Sequence, residues 1–265
     1  MFKARNIFLC FVCVCLSLSY TMFVFAKNGN GNSTLSDGER ALAMLEVQNT
    51  MSKHAYYHAA GLHEDELNDI WVDPDGEYAT TAKWSNPMGV WEGWDTIYTA
   101  YVLGKLETSQ AALDVISSLY PEIENTPENL GIGTEWAMHT QTTPIIEIAD
   151  DGKTAKGIWY SPGIAYGAVI KDDGTVGTSG MWFWEKYGAD FVKEDGEWRL
   201  WHIQMYYDNT PESWGDEGEA IGSGGGSDYS YDNPDPYEAW SPTTLQRIHP
   251  QFPEPYSTFS ETFSY

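Results

Sequence analysis

Between Trp136 and Tyr207 the chain is a series of apolar and aromatic runs broken by Asp-Gly steps, and this stretch limits the fold more than any other. Trp136-Ala-Met-His139 leads through a threonine-rich step to Pro144, a strand at 145–149, a turn at Asp150-Asp-Gly-Lys153 and a second strand at 154–159. Residues 181–187, 191–198 (with Asp195-Gly196 inside) and 199–206 supply further strands. Asp and Gly tolerate the positive φ of a tight turn, so this pattern reads as antiparallel hairpins. Upstream, residues 37–61 carry Met44, Met51, Ala55, His58 and Leu62 at helical spacing, and residues 64–71 and 93–106 read as further helices. Helices followed by antiparallel strands predict an α+β domain, with helices on one face of a strongly curved antiparallel or mixed sheet.

The strand at 181–187 has large side chains at both parities, Met181, Phe183 and Tyr187 on one side and Trp182 and Trp184 on the other. A sheet with one covered face alternates apolar with polar residues, so something is expected over the second face, either a second copy of the chain or its own tail. That tail, residues 209–265, holds a Gly/Ser linker at 222–227, ten acids, one Arg and ten aromatics. Two readings stand: a disordered acidic appendage, or an extended aromatic strap along the domain.

The N-terminus has a charged start, Met1-Phe-Lys-Ala-Arg5, an apolar stretch to Ala26 and a small-residue cleavage pattern at Val24-Phe-Ala26. This predicts a signal peptide at 1–26 and a secreted or extracytoplasmic protein, with an uncleaved membrane anchor as the alternative. All three cysteines lie in that segment, so disulfide, thiolate and cysteine-metal chemistry are not expected in the rest. Losing Lys3 and Arg5 takes the net charge from −25 to −27, which argues against nucleic-acid partners and for solubility. The expected organisation is a flexible leader at 27–38, one domain at 39–208, and the linker and tail at 209–265. The segment 107–133 is expected to form a lid or rim over a pocket.

Residues 39–208 resemble the SnoaL-like branch of the nuclear transport factor two-like superfamily. The resemblance rests on Leu67-x-x-x-Trp71-x-Asp73, Gly93-Trp-Asp-Thr-Ile97, His139 to Pro144, Asp151-Gly-Lys-Thr-Ala-Lys-Gly-Ile-Trp159, and Tyr187 through Trp198 to His202. It implies a cone-shaped domain whose sheet wraps around N-terminal helices, a pocket for a small apolar or aromatic molecule, and a homodimer through the sheet face. It also implies a histidine at His139 pointing into the cone as acid or base. Where many such sequences carry a first-helix Asp, this chain has Ala60, and the next acidic place falls on His63. Glu147, Glu185 and Asp95 are the candidate replacement carboxylates.

Imidazole suits acid–base work because it titrates near neutrality. His139, His58 and Tyr57 are the catalytic candidates, with Tyr160, Tyr166, Trp84, Trp159, Trp182 and His202 as substrate-binding candidates. His54 and His58 stand one turn apart at metal-ligand spacing, but no HExxH motif and no evident further ligand accompanies them, so no metal is expected. His63, set among acids, reads as surface; His249 shows no partner. No Walker loop, dinucleotide GxGxxG or GxSxG elbow is present, so no cofactor is expected. Two functions remain open: a cofactor-independent dehydratase or isomerase, or a non-catalytic binding or assembly protein using the same cone.

Overall fold

The computed structural model of the chain describes residues 34–208, 212–221, 228–234, 237–239, 241–245 and 247–260. The expected signal peptide, most of the leader and the linker at 222–227 lie outside the described residues. Among the described residues no helix is long and apolar enough to cross a membrane.

Helix α1 (Asp37–Ala60) starts where Ser36 forms a capping box: its hydroxyl accepts the Glu39 N–H, and the Glu39 carboxylate accepts the Ser36 N–H at 2.9 Å. It stops at Gly61, whose φ of 69° is the left-handed cap conformation. Its buried stripe is Ala43, Val47, Thr50, Met51 and His54. Met44 and Leu62, expected in the core, are exposed at 38% and 47%. One residue is a rotation of about 100°, so anchoring the stripe on Ala43 turns Met44 toward solvent and His54 inward. Helix α2 (His63–Ile70) follows directly and buries His63, Glu66, Leu67 and Ile70 against the same core.

Strands β1 (Lys83–Asn86) and β2 (Gly89–Glu92) form a hairpin, and Gly93 begins one long helical segment. That segment has a first turn, α3 (Trp94–Ile97), a π-helical stretch at Tyr98–Leu103, and α4 (Gly104–Leu119). It extends beyond the expected end at 106. A π-turn admits one extra residue per turn, and here Ala100, Tyr101 and Val102 are all buried in succession.

The strands β3 (Trp136–His139), β4 (Thr142–Ile148), β5 (Thr154–Ile170), β6 (Val176–Glu194), β7 (Glu197–Tyr207), β8 (Glu212–Gly215) and β9 (Glu219–Ala220) complete one open mixed sheet. Its order is β2-β1-β7-β6-β5-β3, with β4 and β9 also on β5 and β8 on β6. Only the β1–β7 pairing is parallel among these ladders. The β6–β7 turn is the expected Asp195-Gly196, at φ 50° and 92°.

The helix-facing side of β5 to β7 carries Trp159, Tyr187, Ala189, Phe191, Ile203 and Met205, which form the core with α1 and α2. On β7 simple alternation fails. A bulge skips Trp201, so Leu200 pairs with Phe191 while His202 pairs with Asp190. Trp198 and Leu200 therefore join the core alongside Ile203 and Met205 instead of sharing a face with His202.

The described parts of the tail lie on the domain. Val90 N–H donates to Tyr231 O at 2.9 Å, Tyr229 stacks on Trp91 at 5.1 Å, Asp150 N–H donates to Tyr256 O at 2.9 Å, and Phe259 meets Trp201 at 5.0 Å. His249 is not isolated: it stacks on Tyr237 at 4.6 Å and meets Tyr206 at 4.5 Å. These contacts leave Trp182 and Trp184, on the outer face, 54% and 51% exposed. Because Tyr229 also holds Asn86 through a 2.9 Å hydrogen bond, Tyr229→Ala is expected to cost about 2 kcal/mol, read as a lowered urea midpoint with unchanged slope.

Candidate functional site

A cavity of about 620 Å³ opens where the end of α1, the start of α2, the start of α4 and residues 128–137 meet. Its floor includes His58 and His63; Val102, Leu106, Leu130, Ile132 and Trp136 give apolar wall; Lys105, Glu64 and Glu128 are at its polar side. The segment expected as rim contributes both α4 and the loop at 128–135. A second apolar cluster, Ala112 and Ile116 of α4 with Ile221, Ala168 and Ile170, holds that rim on the sheet.

At the floor and behind it, four imidazoles gather. The His58 ring lies 4.8 Å from His139, 5.3 Å from His63 and 5.7 Å from His54. Two networks hold them. On the helix side, the fully buried Glu66 carboxylate bonds His54 Nδ1 at 2.8 Å and accepts from Trp71 Nε1 at 3.2 Å and from the Tyr101 hydroxyl at 2.8 Å. The Tyr101 oxygen also lies 2.7 Å from His58 Nδ1. Since that hydroxyl gives its one proton to Glu66, His58 Nδ1–H donates to Tyr101, and the free lone pair of His58 is on Nε2. Burial and the neighbouring Glu66 carboxylate push the Tyr101 hydroxyl well above its ordinary pKa, so it keeps that proton.

On the sheet side, His139 ends β3 and is buried. Its Nδ1 lies 3.0 Å from Ser161 Oγ and 3.9 Å from Glu185 Oε2, and Tyr187 donates to the same Glu185 oxygen at 3.1 Å. Gly163, paired with His139 across the sheet, makes room: a Cβ there would stand 2.2 Å from the Phe183 ring and 2.8 Å from His139 Cβ. Burial drives these groups toward neutrality. It lowers His139 to about 3 and His63 to about 4, lowers His58 well below its ordinary value with the other histidines adding to the effect, and raises Glu185 to about 8.

Of the residues singled out in the sequence, His58 and His139 come together here. Tyr57 does not: its hydroxyl donates to Asp69 at 2.9 Å. Trp159 is buried in the core with Nε1 on Gln48, and Trp84 packs there between Trp91 and Tyr101. Tyr160 and Trp182 are exposed on the outer face, while Tyr166 packs between Trp136 and Trp214. His202 lies away from the cavity, bonded to Asp190 at 2.8 Å and to Thr81 O at 3.1 Å and stacked on Trp201 at 3.9 Å. None of these seven is in the cavity wall, and His139 lies behind it instead of lining it. His63, expected at the surface, is 9% exposed, its ring 4.4 Å from Tyr101. Of the replacement carboxylates only Glu185 reaches the cluster; Asp95 is exposed and Glu147 pairs with Lys156 across the sheet. Ala60 sits at the cavity mouth. Glu66 and Tyr101 carried no signal in the sequence beyond their helical phase.

The family described as the SnoaL-like domain matches residues 39–204. The chain belongs to that family. No curated protein sequence matches it. Among solved structures, a hexachlorocyclohexane dehydrochlorinase from Novosphingobium barchaimii is similar at 15% identity and TM-score 0.41, covering 67% of this chain and 94% of its own. A nuclear transport factor 2-like superfamily protein from Salmonella enterica shows 13% identity and TM-score 0.40, covering 64% and 94%. An NTF2-like protein with a cystatin-like fold from Novosphingobium aromaticivorans shows 12% and 0.37, covering 63% and 82%. Within the SnoaL-like domain of this chain, the buried carboxylates come from α2 and β6 instead of the first helix.

Glu185 gives the site a pH signature. The folded chain keeps its carboxyl proton up to about 8, whereas an unfolded carboxyl releases it near 4.5. Between those values the folded state binds more protons, so stability falls as pH rises. This contribution is complete below the unfolded value and lost through about pH 8. In Glu185→Gln the amide does not ionise, so the melting-temperature advantage of the variant over the native chain is expected to grow steadily from about pH 5 to about pH 9.

Proposed function

We propose that this SnoaL-like chain is a secreted lyase or isomerase that works by acid–base chemistry on a small apolar or aromatic molecule carrying an oxygen function. The observation that carries the reading is His58 on the cavity floor, oriented from behind by Tyr101 and Glu66, with the His139 ring 4.8 Å away. A base held by a second group that is itself fixed by a carboxylate is the arrangement that keeps one tautomer in place.

In a dehydration, His58 Nε2 takes the proton from a carbon next to a substrate carbonyl, and the C–H electron pair becomes the new double bond. The imidazolium so formed at His58 gives that proton to the leaving hydroxyl, which departs as water as the C–O bond breaks, so His58 ends neutral. His139, its ring 4.8 Å from His58 and its Nδ1 on Ser161, stays neutral and holds the His58 ring in place. In an isomerisation the proton goes back to a different carbon of the same substrate. Lys105, on the cavity wall, meets the carbonyl oxygen, and the walls of Val102, Leu106 and Trp136 fit an apolar body. The exposed Trp182 and Trp184 are where this reading sets a second copy of the chain.

The rival reading, a binding protein, keeps the cavity and dispenses with proton transfer. Incubating the protein with a concentrated culture extract of its source and following masses consumed and formed separates the two. Turnover seen as loss of one water, or as an unchanged mass at a new retention time, is expected, and His58→Ala and His139→Ala should each slow it by about 10²-fold or more. Retention of a ligand without turnover by native and variant proteins alike would leave only the binding reading.

A further inference from the structure

His54 and His58 are one helical turn apart, and the sequence offers them no third partner. The structure supplies partners from α2. His58, His63 and Glu66 each present one ligand atom, all within 4.8 Å of one another. Two ring nitrogens of the cluster, His63 Nδ1 and His54 Nε2, are buried with no hydrogen-bond partner among the described residues. A buried polar atom left unpaired costs stability, and the cluster bears that cost twice within one site. We propose that His58, His63 and Glu66 bind a divalent first-row transition ion of the zinc class on the floor of the cavity.

Two imidazoles and one carboxylate are the donor set of an open, three-ligand site, in which the remaining position is left for water or substrate. Around a tetrahedral ion with bonds of about 2.0–2.1 Å, ligand atoms stand about 3.3 Å apart. The side chains therefore close by about 1.5 Å at most, a side-chain adjustment. Tyr101 is the outer partner such a site needs, since it bonds both His58 Nδ1 and Glu66 and orients two ligands at once. The remaining position faces the cavity because His58 and His63 line it. This inference rests on the proposed function in placing the chemistry at this floor. The ion would take the Nε2 lone pair that serves as base in the metal-free reading, so a water activated on the ion would be the base at the same floor in its place.

The test uses the full chain, without a histidine tag, stripped with a chelator and titrated with Co²⁺ and then Zn²⁺. One Co²⁺ per chain is expected, with visible bands of a four- or five-coordinate ion that Zn²⁺ displaces. His63→Ala should abolish those bands while keeping the native far-ultraviolet circular dichroism, and Tyr101→Phe should weaken binding about ten- to hundredfold. X-ray absorption on the native zinc-loaded protein, which needs no variant to fold, should show two imidazoles. No uptake at millimolar ion, uptake undiminished in a folded His63→Ala, or an oxygen-only shell would each overturn the inference. Uptake without turnover of any extract component counts against the enzymatic reading alone, and turnover that survives without uptake counts against the metal alone.

Discussion

The Glu66 carboxylate is buried without any exposure, so every bit of solvation it lost to the interior has to be replaced by neighbouring side chains. His54 from α1, Trp71 at the end of α2 and Tyr101 from the π-turn provide it. That requirement fixes three elements against one another at a single point. It also explains the π-turn in physical terms: an extra residue in the turn directs Tyr101 inward, where its hydroxyl reaches Glu66 and His58 together. The orientation of His58 at the cavity is therefore set from behind, by a carboxylate that is not part of the cavity lining.

The sheet provides a second carboxylate under different conditions. Among the described residues the Glu185 carboxyl has one hydrogen bond, from Tyr187, and burial holds it protonated to about pH 8. It stands 3.9 Å from His139, so at neutral pH the two face each other as uncharged groups instead of an ion pair. A helix-side imidazole oriented through a phenol thus faces a sheet-side imidazole in an apolar, hydroxyl-lined setting. Burial leaves both imidazoles uncharged at neutral pH, while the Glu185 carboxyl beside His139 keeps its proton.

Much of the fold was legible in the sequence because it depends on neighbours in the chain. The Asp195-Gly196 turn, the extent of α1 and the strands around His139 are short-range matters of backbone sterics and capping. His139 was singled out through the family resemblance and His58 by its place on the first helix; the ring contact between them is set by packing. The helical phase of α1 was not: Met44 looked as apolar as Ala43, and only packing against the sheet chose between them. Nor was the face of His202, since a bulge at Trp201 reverses the parity on which any reading of β7 depends.

The sequence by itself determined an α+β chain with hairpins, an aromatic tail and several histidines suited to proton transfer. Tertiary structure alone decided which polar groups share a site. His63 and Glu66 sit in a run of acids that reads as a solvated helix, and Tyr101 in a helix of many aromatics. Each is drawn inward by the rotation of its helix against the core, and the convergence of three such rotations on one carboxylate is a property of packing that no spacing along the chain encodes.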